Sequence, residues 1–399
     1  MKSLSPRQFT LLVRSMGEAA GEYKPWLREA GERGPMTTSS MEMEPAPPVS
    51  LTVETAPVLA PHRFDEAALA RYMQAHMAHF TPPLTVGQVR GGMSNPTFIL
   101  TDGAGERYVL RKKPPGLLLP SAHAVDREFR VIAALYDTDV PVARPYLLCQ
   151  DAAIIGTDFY IMSFVEGRVF RRDDLPELPP AERRRIYLAM ADVIAALHRI
   201  DFRTIGLEDF GRAGGYMVRQ LRRWSQQYDA AKTDDIPEMQ QLMAWLPEHL
   251  PAEDTTTIVH GDFRLENLIF HPTEPRVLAV VDWELSTLGA PLSDLAHNCL
   301  TYYVPDARRG DITTVDFARY GIPPEAEYVA RYCAQTGRTH LPGWQFYIVF
   351  ALFRLAAIVQ GVYKRGLDGN ASSPEAVTFR TQCRQLAVAA WALVQQGWQ

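Results

Sequence analysis

A chain of 399 residues has room for one bilobal enzyme or for two to three ordinary domains of ~150 residues each. Its apolar fraction of 47% and charged fraction of 22% are ordinary globular values, so most of it is expected to fold in water around a sizeable core. The net charge of -5, with acids and bases interspersed, offers no basic face for a phosphate backbone and argues against nucleic acid as a partner.

At the N-terminus, "FTLLVRSMGEAAGEY" breaks its apolar run at Arg14 and then turns polar, which is poor for a signal peptide. Residues 1–60 are rich in Pro, Glu, Ser and Thr with little periodicity, and read as a disordered tail. From residue 61 the pattern tightens. "FDEAALARYMQAHM" places Phe64, Ala68, Leu69 and Tyr72 at helical spacing, and "LTVGQVRGGMSNPTFILTDGAGERYVLRKKP" alternates and turns as strands joined by Gly-rich hairpins do. "SAHAVDREFRVIAALYDT" reads as a helix and "DFYIMSFVEGRVF" as a buried strand that leaves through a glycine. Residues 61–165 therefore predict a small lobe, a sheet with one helix laid against it.

Residues 166–399 change character. "PPAERRRIYLAMADVIAALHRID", "GYMVRQLRRWSQQYDAA" and "PEMQQLMAWLPEHL" repeat apolar residues every three or four positions, interrupted by the short apolar strands "TIVHGD" and "VLAVVDW". "WQFYIVFALFRLAAIVQGVYKRG" is nearly long enough to span a bilayer, but Arg354 at its middle favours a buried helix over a membrane segment. The fold class is α+β: a small β-rich lobe, a larger helical lobe and a cleft between them. The four cysteines lie far apart with no CxxC spacing, which suits reduced thiols in a cytoplasmic protein.

The chemistry concentrates in "IVHGDFRLENLIF", residues 258 to 270. Asp262 ends a strand and Asn267 precedes the next, and "VLAVVDW" ends in Asp282, so a hairpin is expected to present all three at one edge. Asn267 and Asp282 supply hard oxygens suited to Mg²⁺, which leaves Asp262 to accept a proton or aim a hydroxyl. That division of labour belongs to phosphoryl transfer. The small lobe supplies complementary parts. "RGGMSNPTFIL" sets Gly91, Gly92, Ser94 and Asn95 between two strands, where backbone N–H groups can approach phosphates. "YVLRKKP" carries Arg111, Lys112 and Lys113, of which period two puts Arg111 and Lys113 on one face and Lys112 on the other; Arg111 is favoured as the phosphate-facing cation. Glu128 on the following helix stands where an acid would pair with it, and backbone groups around Met162 to Phe164 are expected to face an adenine.

In this order the residues resemble the aminoglycoside phosphotransferase family of small-molecule kinases, within the protein-kinase-like fold, from about Leu84 to about Gly366. The resemblance implies that Asp262 is the catalytic Asp, that Asn267 and Asp282 are metal ligands, and that Asp294 in "APLSDLA" and His260 brace the catalytic loop. "VLRKKPPGLLLPSAHAVDREFRVI", "GYMVRQLRRWSQQY", "VDWELSTLGAPLSDLA" and "FRLAAIVQGVYKR" look like the kinase-like domain fused to, or encoded beside, acyl-CoA dehydrogenases. That subfamily implies ATP and Mg²⁺ as cofactors, a hydroxyacyl-CoA of the 4-hydroxyacyl type as acceptor, and a functional link to an acyl-CoA dehydrogenase. It also implies an acceptor pocket built largely from the helices between Gly206 and Trp245, with the arginines of "RQLRRW" and "AERRR" suited to an anionic CoA. Arg111 stands where the wider kinase pattern has Lys. The alternatives are an aminoglycoside or other small-molecule kinase and, from another class, a nucleotide-binding pseudokinase partner of a dehydrogenase.

Overall fold

Along the small lobe the elements run β1 (Thr55–Ala56), α1 (Glu66–His76), β2 (Thr85–Val89), β3 (Thr97–Thr101), β4 (Arg107–Lys112), α2 (Val125–Leu135), β5 (Pro145–Cys149), α3 (Ala152–Ile155) and β6 (Phe159–Ser163). The structure, a computed structural model, describes residues 54–89, 95–114, 124–306, 309–371 and 374–397. Gly91, Gly92 and Ser94, and residues 1–53 of the expected tail, lie outside the described residues.

The strands form one sheet in the order β1-β2-β3-β4-β6-β5, every described pair antiparallel. Period-two alternation gives it two different faces. Phe98, Leu100, Tyr108, Leu110, Phe159 and Ile161 point to an outer core closed by Leu69 and Met73 of α1. Asp65 begins that helix by accepting from the Ala68 N–H at 2.9 Å. On the other face, Tyr160 and Met162 join Val125, Val131, Ile132 and Leu135 of α2 in a core continuous with the large lobe. The sheet therefore carries both expected helices, one on each face, where the sequence reading lays only one of them against it.

The lobe also starts earlier than residue 61. Thr55 pairs with Val89 and Ala56 with Gln88, and the Leu59 N–H donates to Gln88 Oε1 at 2.9 Å. A two-residue strand has no period of its own and exists only because a sheet edge receives it.

The large lobe continues with α4 (Pro180–Arg199), α5 (Tyr216–Ala231), α6 (Pro237–Glu248), β7 (Thr257–Val259), β8 (Leu268–Phe270), β9 (Val277–Val280), β10 (Thr287–Gly289), α7 (Pro291–Asn298), α8 (Phe317–Tyr320), α9 (Glu325–Thr336), α10 (Trp344–Leu367) and α11 (Arg380–Gln396). Proline starts α4, α6 and α7, where its missing N–H has no intrahelical partner to lose. α10 is long and apolar enough to cross a membrane, but it packs against α5, α7 and α11 and buries Phe346 through Phe353 on all sides, as the core helix of a large lobe does.

The expected hairpin forms, and a second small sheet stands beside it. β8 pairs with β9, but β7 pairs with β10, so Asp262 and Asn267 leave one small sheet and enter the other. β10, "TLG", is too short to carry an alternation signal.

Candidate active site

The HGD segment leaves β7 and is turned by Gly261, at φ +85°, where a Cβ would come within 2.8 Å of the Leu285 carbonyl oxygen. Only glycine fits there without moving backbone. Asp294, in the first turn of α7, holds the turn from below. Its Oδ2 accepts from the His260 N–H at 2.7 Å and its Oδ1 from the Gly261 N–H at 2.9 Å, and His198 Nε2 lies 3.3 Å from Oδ2. Complete burial would raise the Asp294 carboxyl, but the hydrogen bond and charge of His198, with His260, hold it below the usual carboxylate range.

His260 is fully buried, and burial pushes its imidazole down, so the neutral ring is the stable form. Its hydrogen bonds select the tautomer: Nε2–H donates to the Val281 carbonyl at 3.0 Å and Nδ1 accepts from the Asp262 N–H at 3.3 Å. The ring thus ties the Asp262 loop to the strand that ends at Asp282.

Asp262 itself is held on both oxygens. His297 Nε2 lies 3.1 Å from Oδ1, Asn267 Nδ2 donates to Oδ2 at 3.1 Å, and Arg264 Nε lies 3.1 Å from Oδ2. Burial alone would raise this carboxyl, but His297, Arg264 and His260 together hold it far below the usual range. Asn267 also donates to the Asp262 carbonyl at 2.9 Å, which commits its amide nitrogen and leaves its oxygen for a cation. Asp282, at φ 68° and ψ 56°, sits in the left-handed region that Asp tolerates better than most residues. Its Oδ1 accepts from Arg111 Nη1 and Nη2, at 3.2 and 3.1 Å.

From the small lobe, Arg111 reaches the cleft as the alternation predicts. It pairs with Glu128 Oε2 at 3.2 Å as well as with Asp282. Glu128 in turn accepts from Asn95 Nδ2 at 2.6 Å and from the Tyr160 hydroxyl at 2.9 Å. Burial pushes the Glu128 carboxyl up, against the pull of Arg111 and Tyr160. Lys112 turns the other way, with Nζ 5.8 and 5.9 Å from the ring centroids of Phe64 and Phe98, and burial lowers its pKa.

One expectation needs correction. Met162 is paired on both sides in the sheet, and the N–H groups of Ser163 and Phe164 donate to the carbonyls of Arg144 and Arg107, so these donors are committed to the sheet and do not face a base edge. The cavity that opens at Asp262, of about 320 Å³, is lined by α4, α10 and the segment after α7, through residues such as Met190, Leu300, Val304, Leu355 and Ile358. The helices between Gly206 and Trp245 supply none of its lining residues, although Trp224 of α5 lies 5.5 Å from Arg354 at its edge. The arginines of "AERRR" are used elsewhere: Arg183 donates to the Leu175 carbonyl at 2.8 Å, Arg184 pairs with Glu327, and Arg185 reaches the Ala181 carbonyl. In "RQLRRW", Arg219 donates to the carbonyls of Gly214 and Arg212, while Arg222 and Arg223 face solvent.

The cations that do line the cavity are Arg264, Arg309 and Arg354, together with His297. His297 carried a usable signal: it lies three residues after Asp294 in α7, so both face the HGD turn. Arg309 carried none, since its loop has no period.

The comparisons with known proteins agree with this geometry. A model of the phosphotransferase enzyme family (APH) matches residues 85–347. Acyl-CoA dehydrogenase family member 11 of Homo sapiens is 46% identical over 344 residues, covering 84% of this chain and 44% of that protein. The chain thus spans less than half the length of the curated relatives it matches. A crystal structure of a Ralstonia eutropha protein assigned as an aminoglycoside phosphotransferase superposes with a TM-score of 0.78 at 48% identity, covering 84% of this chain and all of that one. A ternary complex of a thermostable APH(4)-Ia mutant with ADP and hygromycin B shares the fold, at a TM-score of 0.53 and 15% identity, over 83% of this chain and 99% of that one. On the family model and the relatives together, the chain belongs to the APH phosphotransferase enzyme family, with a protein-kinase-like bilobal fold.

Proposed function

We propose that the protein transfers the γ-phosphoryl group of ATP to a hydroxyl of a small molecule, and that the acceptor is a hydroxyacyl-CoA of the 4-hydroxyacyl type. The observation that carries the transfer reaction is the Asp262 carboxylate, pinned by His297 and Asn267 at the mouth of a cavity and joined through His260 to the strand that ends at Asp282. The acceptor rests on the relatives, which are named as acyl-CoA dehydrogenase family members.

In this reading the acceptor hydroxyl donates to Asp262, which turns a lone pair of the hydroxyl oxygen toward the phosphorus. Because Asp262 is a weak base, orientation dominates, and the proton moves to it only as the new P–O bond forms and the bond to the leaving ADP breaks. Arg111 faces the phosphates and Glu128 aims it; Arg keeps its charge under all conditions and forks onto oxygens, so it serves where Lys is usual. Asn267 and Asp282 have the hard-oxygen chemistry to hold Mg²⁺, which takes few protein ligands beside substrate phosphates and when bound would neutralise charge on the transferred group. The glycines of "RGGMSN" have backbone N–H groups of the kind that bind phosphates, and the base would lie beyond Phe164, past the last sheet bond of β6. The four buried free cysteines support a reducing cytoplasmic setting, and an acyl-CoA dehydrogenase would act on the phosphorylated product.

The test is ADP release with Mg-ATP and a panel of 3-, 4- and 5-hydroxyacyl-CoAs beside kanamycin, with Asp262→Ala as control. Turnover with a CoA ester that the variant lacks is the expected result. Turnover with the antibiotic alone would move the acceptor to the aminoglycosides, and ATP binding without any turnover would make the protein a pseudokinase.

A further inference from the structure

Arg354 stands near the middle of the mostly apolar helix α10, and the transfer reaction above does not use it. Its Nη2 donates to the Gly261 carbonyl at 3.0 Å, one residue before Asp262, and its guanidinium lies 5.5 Å from the Trp224 ring. Its Nε is buried with no hydrogen-bond partner. The other two cavity arginines have acids: Arg264 pairs with Asp262 and Glu266, and Arg309 lies 3.6 Å from Asp173. Arg354 has no carboxylate within ion-pair distance among the described residues. A half-buried guanidinium held beside a reacting group without a counter-charge is unfavourable unless something else accepts from it.

The cavity says what that is. Leu265, Leu285, Leu300, Val304, Leu355 and Ile358 give it an apolar wall, and about 320 Å³ is at the small end of ligand sites. A short aliphatic chain fits such walls, and an oxygen on that chain is the group Arg354 lacks.

We propose that Arg354 is a specificity-determining residue that donates to an acyl oxygen of the acceptor, a carboxylate or a thioester carbonyl, while the chain lies along the apolar wall and the hydroxyl reaches Asp262. The choice of an acyl oxygen rests on the function proposed above; the unpartnered cation does not.

The experiment measures binding by ligand-observed NMR and calorimetry to the full chain and to Arg354→Gln. That substitution keeps an N–H donor for the Gly261 carbonyl and removes the charge. The probes are 4-hydroxypentanoyl-CoA, free 4-hydroxypentanoate and pentane-1,4-diol, which lacks the acyl oxygen. Wild type is expected to bind the thioester or the acid about 10- to 100-fold more tightly than Arg354→Gln, the range of a hydrogen bond from a charged donor, with diol and ATP binding unchanged. Loss for the thioester identifies the carbonyl as the group read, and loss for the acid alone identifies the carboxylate. Equal affinities in the two proteins, no binding of either acyl probe to wild type, or an equal loss for the diol would overturn the proposal. A fall in kcat with acceptor KM unchanged would overturn it too, by placing Arg354 on the transferred phosphoryl group. Arg354-dependent binding without ADP release would leave this proposal standing and remove the kinase reading.

Discussion

Asp294 in the large lobe and Arg111 in the small lobe are both buried charges, and they are satisfied in different ways. Asp294 takes two backbone N–H groups and His198, all within its own lobe, so the HGD turn is complete without the small lobe. Arg111 has Glu128 in its own lobe but shares its guanidinium with Asp282 across the cleft. The geometry at Asp262 is therefore a property of one folded unit, whereas the charge at Arg111 depends on how the two lobes meet. Preorganised groups of the first kind suit the reacting atoms, and shared charges of the second kind suit a ligand that must enter and leave.

The comparison can be broken from the large-lobe side first. Asp262→Ala is expected to lower turnover by ~10²–10⁴-fold with the fold retained but less stable, because His297, Asn267 and Arg264 lose their acceptor; ADP release beside a melting curve measures both. Full activity in that variant would remove Asp262 from the mechanism. Asp294→Ala leaves three donors buried without an acceptor and is expected to destabilise the fold by about 3–5 kcal/mol, read from denaturant unfolding.

The pH dependence has a definite sign. Asp262 and Asp294 are both depressed in the folded state, so their stabilisation is complete above the ordinary carboxylate range. It is lost as pH falls from there through their folded values. Asp294→Asn should flatten that acid limb, and an unchanged acid limb would contradict the network.

On the small-lobe side, Arg111→Lys keeps the charge but loses the fork. About a tenfold rise in the KM for ATP is expected, with the acceptor KM unchanged. Its neighbour sharpens the contrast: Lys112→Met should leave the KM for ATP unchanged and raise stability slightly, because it replaces a cation lodged against Phe64 and Phe98.

A last prediction concerns Glu325 of α9, which lies away from the cleft. Burial raises its carboxyl to about 6, against the Tyr303 hydroxyl at 2.6 Å and the Trp344 indole N–H at 3.2 Å. A raised acid weakens the fold as pH climbs from its unfolded value to about 6, and the penalty stays constant above that. Glu325→Gln should therefore gain about 1–2 kcal/mol at neutral pH and little at pH 4.

Much of the fold was legible in the residues themselves. The helical periods of α4, α5 and α6, the alternation that separates Arg111 from Lys112, and the Asp262 to Asn267 spacing are local patterns that repeat with the backbone. The Arg111–Glu128 pair followed from the order of strand and helix. What the sequence could not carry was pairing: that β7 joins β10 and not β8, that Thr55 and Ala56 complete a sheet, that β6 commits its N–H groups to both neighbours, and that the cavity at Asp262 is walled by α4 and α10. Those depend on which distant segments meet, and short strands and cavity walls have no period of their own to announce it. Arg354 shows both sides: one charge in an apolar run already marked the helix as buried, and only the packed lobe brought that charge beside Gly261, because a helix position acquires a neighbour only when the chain folds back onto it.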